Sequence, residues 1–205
     1  MLLKRMSLGV YGANCYIVTC EDSKESIVVD PGGEAEDIIK VLEENEFKIK
    51  YIVLTHGHGD HIAGVPKLKE VYGCPILIHK NDEELLLDPS KNLSASMPIE
   101  EVIINPDKLL EDGDIIEFGK IKVEVIHTPG HTQGCICLKI DKDILTGDTL
   151  FKGSVGRTDL YGSSNDIINS IKTKLLKYEG NTLIHPGHGI STTIGEEKLT
   201  NPFLR

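Results

Sequence analysis

The sequence of 205 residues predicts a mixed α/β fold in one domain, residues 1–205. Short apolar segments rich in β-branched residues alternate along the chain with segments whose apolar residues recur at helical spacing. Four of the strand-like segments run directly into histidine or aspartate, and these four are spread over both halves of the chain. The content of 40% hydrophobic and 26% charged residues is ordinary for a globular domain of this length.

The first half reads as strands followed by helices. The predicted strands are 14–19, 26–29, 52–55 and 75–78. The predicted helices are 34–46 and 61–72. Residues 79–112 are acidic and read as helix or loop. In the second half, 114–118 and 121–126 alternate as a hairpin, apolar segments precede Asp148 and His185, and a short helix is expected at 195–200.

Charge and cysteine content exclude several classes of protein. The formal net charge of −10 argues against a nucleic-acid binder, which normally carries a basic face. No apolar stretch is long enough to span a bilayer and the N-terminus lacks an apolar h-region, so we expect no membrane partner and a cytoplasmic location. The five cysteines include no Cys-x-x-Cys pair, which argues against a zinc ribbon or a thioredoxin-type site and favours buried thiols.

One stretch concentrates groups that bind metals. After the apolar strand, the chain reads His56-Gly-His58-Gly-Asp60-His61. Imidazole and carboxylate are ligands that suit zinc and iron, and the two histidines two residues apart point the same way in an extended segment. The glycines let the backbone turn tightly around an ion. The sequence therefore predicts a metal site at the end of this strand.

The second half repeats the same device twice. An apolar strand leads into His127-Thr-Pro-Gly-His131, and another leads into His185-Pro-Gly-His188. Proline and glycine end each strand and fix the direction of the following histidine. Between them a third strand ends in Asp148. A carboxylate at a strand end is usually a turn residue, but four such strand ends in one chain indicate a shared site.

These motifs resemble the metallo-β-lactamase superfamily, over residues from Asp30 to His188. The resemblance implies a four-layer αβ/βα sandwich with the metals in a cleft at one edge of the two sheets. It also implies a ligand set of His56, His58 and His131 for one ion, Asp60, His61 and His188 for the other, and Asp148 bridging both. By the same resemblance Asp30 lies beneath the site and supports it, although on spacing alone a turn or cap residue is the better interpretation.

Two further segments, 128–132 and 156–159, are similar to the small glyoxalase II-type hydrolases. The implied activity is hydrolysis of a small-molecule thioester by a site with two divalent metal ions. Zinc is the expected metal, and iron and manganese are the alternatives. A metal lowers the pKa of bound water to roughly 7, so a bridging hydroxide would attack the carbonyl. Asp60 is the candidate catalytic residue, because it can accept a proton from that water as well as bind a metal.

Other functions stay open at this point. A persulfide dioxygenase shares the fold but uses one iron, and a third reading is a hydrolase of another ester, a lactone or a phosphodiester. A count of bound metals separates the first two readings. A binding protein without activity would leave a complete ligand set unused.

For several other residues the sequence favours a structural or supporting role. His127 and His185 are either ordinary strand-end histidines or groups that orient ligands, and His79 is expected to be structural without a nearby partner. Arg157 and Tyr161 could contact substrate, but an ion pair and a packed ring are their expected roles. Because only a short tail follows His188, we expect no C-terminal helical domain that grips glutathione.

Overall fold

The computed structural model describes residues 1–205 and contains two mixed six-stranded sheets. The strands are β1 (Leu2–Leu8), β2 (Ala13–Thr19), β3 (Glu25–Val29), β4 (Lys48–Val53), β5 (Ile76–His79), β6 (Lys108–Leu110), β7 (Ile115–Phe118), β8 (Ile121–His127), β9 (Ile136–Ile140), β10 (Asp143–Gly147), β11 (Leu150–Phe151), β12 (Ser154–Val155), β13 (Leu183–Pro186) and β14 (Thr192–Thr193). The first sheet has the order β1-β2-β3-β4-β5-β6, the second has the order β14-β13-β10-β9-β8-β7, and β11 and β12 form a separate hairpin.

The helices cover the outer face of each sheet. The α-helices are α1 (Ala35–Glu44), α2 (Gly59–Ile62), α3 (Val65–Tyr72), α4 (Glu83–Leu87), α5 (Ile167–Ser170) and α6 (Ile194–Thr200). Two 3₁₀ turns (Lys80–Asp82 and Ser94–Ser96) and a π-helical segment (Ile171–Leu175) complete the regular structure. No helix in the chain combines the length and the apolar character that crossing a bilayer requires.

Three separate apolar cores correspond to the three interfaces of four layers. In β2, Ile17 packs toward the core under α1 and α3, whereas its neighbours Tyr16 and Val18 join the core between the sheets. This alternation follows from the two-residue period of a strand, which sends successive side chains to opposite faces. The third core, with Ile184 and Ile171, lies between the second sheet and the C-terminal helices. The predicted four-layer αβ/βα sandwich is confirmed.

Strand direction explains why the predicted site residues meet. Strand β4 runs parallel to β3 and β5, and β10 runs parallel to β13, so the carboxyl ends of each group lie at one edge. The His56 turn follows β4, Asp148 follows β10, and the His188 turn follows β13. Both sheets therefore deliver their polar strand ends to a common edge.

The structure differs from the predicted elements in the first half of the chain. Residues 79–112 were expected to be helix or loop, but they also contain strand β6, which pairs with β5. The helix predicted at 61–72 is two helices, α2 and α3, because Pro66 has no N–H to donate and its ring disfavours a continuous helix. At the junction, Gly64 donates its backbone N–H to the Pro31 carbonyl instead of continuing α2. Strand β1 was not predicted; it is a largely exposed edge strand paired antiparallel with β2, and its charged residues obscure the alternation.

Candidate metal centre

Three histidines form what we call the imidazole cluster: His56, His58 and His131. Their candidate ligand nitrogens lie within 4.8 Å of one another, and all three residues are buried. His58 Nδ1 approaches His131 Nε2 to 2.9 Å. The turn after β4 supplies two of these rings and the turn after β8 supplies the third, so the cluster joins the two sheets.

A second group, the mixed cluster, consists of Asp60, His61 and His188. Their candidate ligand atoms also lie within 4.8 Å of one another. His61 Nε2 lies 3.2 Å from His188 Nε2, and His188 Nε2 lies 3.3 Å from an oxygen of Asp60. Asp60 and His61 belong to α2, directly after the His58 turn, so both clusters share one short segment.

Asp148 lies between the two clusters and faces both. Its Oδ1 is 3.5 Å from His61 Nε2, and its Oδ2 is 3.5 Å from His131 Nε2. The same Oδ2 lies 3.7 Å from His188 Nε2. Oδ1 thus faces the mixed cluster and Oδ2 faces both clusters, so the carboxylate is placed as a bridging ligand would be. All seven residues that the sequence predicts as ligands are brought together at one edge.

The residues present fit metal ions. Four ligand atoms at about 2.1 Å in a tetrahedron lie about 3.4 Å apart, and the separations in both clusters fall around that value. In addition, His56 Nε2 and Asp148 Oδ1 are buried and have no hydrogen-bond partner. Buried polar atoms without a partner are costly, so an ion that accepts their lone pairs explains their presence.

Hydrogen bonds on the outer side of the rings leave lone pairs facing the centre. His131 Nδ1 lies 2.9 Å from the Arg157 carbonyl, an acceptor only, so Nδ1 carries the proton and Nε2 the lone pair. Thr55 donates its hydroxyl to Asp30 and therefore accepts from His56 Nδ1 at 3.1 Å. Such outer contacts fix the tautomer that a metal needs.

Burial keeps the imidazole cluster neutral. It lowers the pKa of His58 to about 3 and that of His56 well below its usual value, with repulsion from neighbouring imidazoles adding to the effect. Burial also lowers the pKa of His131, although the charge of Asp148 opposes it. Neutral imidazole is the form that binds a metal, so these rings have their lone pairs available at neutral pH.

The mixed cluster has the opposite electrostatics. Burial alone would lower the pKa of His61, but the carboxylates of Asp148, Asp60 and Asp30 outweigh it and raise the pKa to about 10. Burial opposes ionisation of Asp60 as well, yet His61 and His188 hold its pKa below the usual range. Without a metal, a proton on His61 compensates the surrounding negative charge.

Asp30 sits beneath both clusters but supports the site rather than opening toward it. Its Oδ1 accepts the backbone N–H of Thr55 at 2.7 Å, and its Oδ2 accepts the Thr55 hydroxyl at 2.6 Å. His61 Nδ1 lies 3.1 Å from the same Oδ2. Although Asp30, His56 and His61 lie close enough to form a third candidate group, the Asp30 oxygens are already occupied. Its left-handed φ of 50° aims the carboxylate at these partners.

The other predicted histidines lie outside both clusters. His127 binds the Gln133 carbonyl at 2.8 Å, and its ring stacks on His79 at a centroid distance of 4.0 Å. The expectation that His79 has no nearby partner is therefore wrong; a linear pattern gives no sign that β5 and β8 end side by side. His185 binds Asp143 at 2.7 Å and Ser191 at 3.1 Å, so it ties together the start of β10 and the turn after His188.

Arg157 and Tyr161 are exposed residues of the loop between β12 and α5. The Arg157 guanidinium forms a bidentate pair with Asp159 at 2.6 and 2.8 Å, as expected for an ion pair. The Tyr161 ring is 46% exposed and its hydroxyl contacts Glu84 at 2.9 Å, so the expectation of a packed ring is wrong. The contacts of Tyr161 are polar and lie at the surface, with Glu84 on the hydroxyl and the Lys91 ammonium 5.2 Å from the ring centroid.

Sequence reasoning missed the residues that hold the ligand turns. Asn14 Nδ2 donates to the carbonyls of Pro186 and Gly189 at 2.9 and 3.0 Å, and the Tyr16 hydroxyl donates to Pro186 at 2.7 Å. Asp82 contacts the turns of the imidazole cluster. These residues lie in no recognisable motif, and nothing short of the three-dimensional arrangement reveals them.

The two clusters open into a cleft of about 400 Å³. Asp60, Asp148 and His188 form part of its floor, and its apolar wall is made by Tyr11, Leu93, Met97 and Leu160. A cleft with polar groups at one point and an apolar wall is typical of sites for small molecules.

Residues 8–188 match the family described as the Metallo-beta-lactamase superfamily. The hydroxyacylglutathione hydrolase GloC of Haemophilus influenzae is 36% identical over 100% of this chain and 98% of its own length. Two solved structures are also similar. The BLEG-1 B3 metallo-beta-lactamase is 35% identical over 99% of both chains, with a TM-score of 0.93. TTHA1623, solved in a di-iron-bound form, is 33% identical over 98% of this chain and 100% of its own, with a TM-score of 0.88.

The match covers every strand end that contributes to the two clusters, and the relatives are similar over nearly the whole chain. The sandwich, the cleft at the sheet edge and the His/Asp cluster agree with that relationship and with a metal-dependent hydrolase. The chain belongs to the metallo-beta-lactamase superfamily.

Proposed function

We propose that the protein hydrolyses thioesters with two divalent metal ions and that zinc is the preferred metal. The observation that carries the proposal is the position of Asp148 between two complete clusters, one oxygen toward His61 and one toward His131. His56, His58 and His131 would hold one ion, and Asp60, His61 and His188 the other. The ligand types suit zinc, iron and manganese, and a di-iron form of a 33% identical protein supports iron as the alternative.

The same geometry favours two ions over one. A persulfide dioxygenase would use a single iron, and the second group of ligands would then have no partner. Here Asp60, His61 and His188 lie with their ligand atoms within 4.8 Å of one another and form a second set that includes its own carboxylate. Two ions would use both sets of ligands.

The chain supplies the remaining parts of a hydrolytic site. Ions bound here would lower the pKa of a water molecule and polarise a substrate carbonyl oxygen. Asp60 lines the cleft and its side chain is 12% exposed, so it is placed to contact an entering water and to accept its proton. A thiolate leaves readily because a thiol has a pKa of about 8.5, so no protonated donor is needed on the cleft wall.

The similarity to the hydrolase GloC supports a thioester, and the cleft indicates which part of it is recognised. Arg157 is the one Lys or Arg side chain that lines the cleft, and it is paired with Asp159. The wall is apolar at Leu93 and Leu160. We therefore place recognition at the acyl group and the carbonyl rather than at the carboxylates of a glutathione moiety.

Metal analysis with a thioester assay tests the proposal. Protein purified without added metal is analysed for zinc, iron and manganese and assayed with lactoylglutathione. Two ions per chain and a rate that falls on chelation and returns with metal would support it. A single iron per chain with oxygen consumption on a persulfide would replace it with the dioxygenase.

Shortening the thiol portion of the substrate tests where recognition lies. Because the one cationic side chain that lines the cleft is paired, we expect kcat/KM for a truncated thiol ester to stay within about tenfold of the value for the glutathione thioester. Both substrates carry the same acyl group, so the comparison isolates the thiol. A much larger fall on truncation would show a dedicated glutathione site.

A further inference from the structure

Asp82 is a buried carboxylate that belongs to neither cluster. It ends the 3₁₀ turn after β5 and is 0% exposed. Its Oδ1 accepts the backbone N–H of Gly134 at 2.6 Å, and its Oδ2 accepts the N–H of Gly57 at 3.1 Å. The Thr132 hydroxyl donates to the same Oδ2 at 2.7 Å. No cation touches it, so three neutral donors satisfy the carboxylate.

The positions of these donors connect Asp82 to the imidazole cluster. Gly57 is the residue between His56 and His58, and Thr132 directly follows His131. Asp82 therefore binds the two turns that supply all three rings, one from each half of the chain. The packing is close, because a Cβ on Gly134 would lie 2.7 Å from the Asp82 Cγ, so a side chain there would displace the carboxylate.

The chemistry of the contact requires a carboxylate. Each of its oxygens accepts from a backbone N–H, which cannot turn away or act as an acceptor. An asparagine of the same shape would place its NH₂ group against one of these N–H groups, whichever way it is flipped. The turn on that side would lose its anchor while the volume of the core stayed the same.

We infer that Asp82 is a positioning residue for one metal ion only, the ion held by the imidazole cluster. The inference rests on the proposed function, since it assumes that the clusters bind metal. Asp82 sets the distance between the His56–His58 turn and the His131 turn, and hence how closely the three nitrogens surround the ion. The mixed cluster has anchors of its own, because Asn14 and Tyr16 bind the turn that carries His188 and Asp30 binds the His61 ring.

The test separates the two ions by removing one site at a time. His188→Ala leaves the imidazole cluster, and His131→Ala leaves the mixed cluster. Asp82→Asn is then added to each, and zinc affinity is measured in competition with a chromophoric chelator. We expect Asp82→Asn to weaken zinc binding about 10- to 100-fold in the His188→Ala background, the range typical of outer-shell changes. In the His131→Ala background we expect a change within about twofold.

Glu197→Gln is the matched control. Glu197 is also 0% exposed and accepts three hydrogen bonds, from Thr192, Gly153 and Asn201, but none of these residues lies in a ligand turn. It should lower the unfolding temperature without changing zinc affinity in either background. A purely structural role for Asp82 would produce the same pattern as this control.

Thr132→Val serves where Asp82→Asn fails to fold, since it removes one donor to Asp82 and keeps the shape of the side chain. In the His188→Ala background, Thr132→Val should weaken zinc binding less than Asp82→Asn does. If wild-type protein binds two ions, equal losses of zinc affinity in both backgrounds, or no loss in either, would overturn the inference and leave the proposed function intact. Wild-type protein that binds no zinc would overturn the proposed function as well.

Discussion

The two clusters at the sheet edge differ in charge and in exposure. The imidazole cluster consists of three buried rings whose pKa values lie below the usual range, mainly through burial. The mixed cluster contains a carboxylate and a histidine whose pKa is raised to about 10, and the His188 side chain is 29% exposed. Without a metal, the lowered pKa values favour neutral rings in the imidazole cluster, whereas in the mixed cluster the raised pKa of His61 favours a proton that balances the nearby carboxylates.

This difference shows how one chain can place two candidate metal sites side by side without a large penalty from buried charge. Buried ionised groups are stable only when a counter-charge compensates them. The imidazole cluster avoids the problem by contributing no charge of its own, and the carboxylates are gathered where His61 can carry a proton. Asp148 faces both clusters, so it is the group whose removal should affect both.

The largest expected effect is that of Asp148→Ala. Because one carboxylate faces His61 and His131, its loss should reduce occupancy at both positions and abolish most turnover, by at least about 100-fold. Metal content after dialysis against metal-free buffer measures this. Asp143→Asn at the other end of the same strand is the control, since Asp143 contacts His185 and neither cluster. Retention of two ions by Asp148→Ala would contradict the bridging position.

Gly187→Ala should affect the mixed cluster more than the imidazole cluster. A Cβ at this position would overlap Asp148 Oδ1 and would lie 2.8 Å from His61 Cε1, so one of them must move. We expect a loss of about 1–3 kcal/mol in folding stability and weaker metal binding at the mixed cluster. Gly189→Ala, two residues on, meets open space and strains only a φ of 79°, so it should cost about 1 kcal/mol and keep both ions. Equal metal loss in the two variants would contradict the steric explanation.

The metal-free protein should lose stability as the pH rises. The pKa of His61 is about 10 in the folded protein, against about 6.5 in an unfolded chain. The folded state therefore holds a proton that the unfolded state has released, and this stabilisation is fully present below about pH 6.5 and lost as the pH rises through about 10. Between these limits we expect a slope of at most about 1.4 kcal/mol per pH unit.

Urea unfolding of metal-free wild type and His61→Asn at pH 7 to 10 measures the effect. The difference between the two proteins cancels groups that titrate in both. Wild type should lose more free energy of unfolding over this range than the variant does. Parallel curves would show that His61 carries no extra proton in the folded state.

Most of the architecture could be predicted from the sequence. The strands inside each sheet, as opposed to those at its edges, are short apolar segments with clear ends. The segments leading to His56 and Asp148 are two examples, and the structure places both at the predicted edge. Strand β1 escaped because an edge strand with charged residues lacks the signal, and the break near Gly64 depends on a contact with Pro31. Local pattern does not encode such long-range partners.

The candidate site shows the same limit. The His and Asp residues stand in compact motifs, and the structure brings all seven together, while their role as ligands stays a prediction. Asp82 and Asn14 could not be found, because their partners lie many residues away and are backbone groups. A backbone donor leaves no mark on the sequence. The supports of a site are therefore harder to predict than its ligands.

The smallest expected effect is that of Arg157→Ala. Its backbone carbonyl accepts from His131 Nδ1, whereas its side chain forms an exposed pair with Asp159 that contributes about 1 kcal/mol at most. Removal of the side chain leaves the carbonyl in place, so zinc affinity at the imidazole cluster should stay within about fivefold. A loss as large as that expected for Asp82→Asn would show that the guanidinium, rather than the backbone, maintains His131. The kcat/KM for a thioester with an uncharged thiol should change as little, because such a substrate offers the guanidinium no anionic partner.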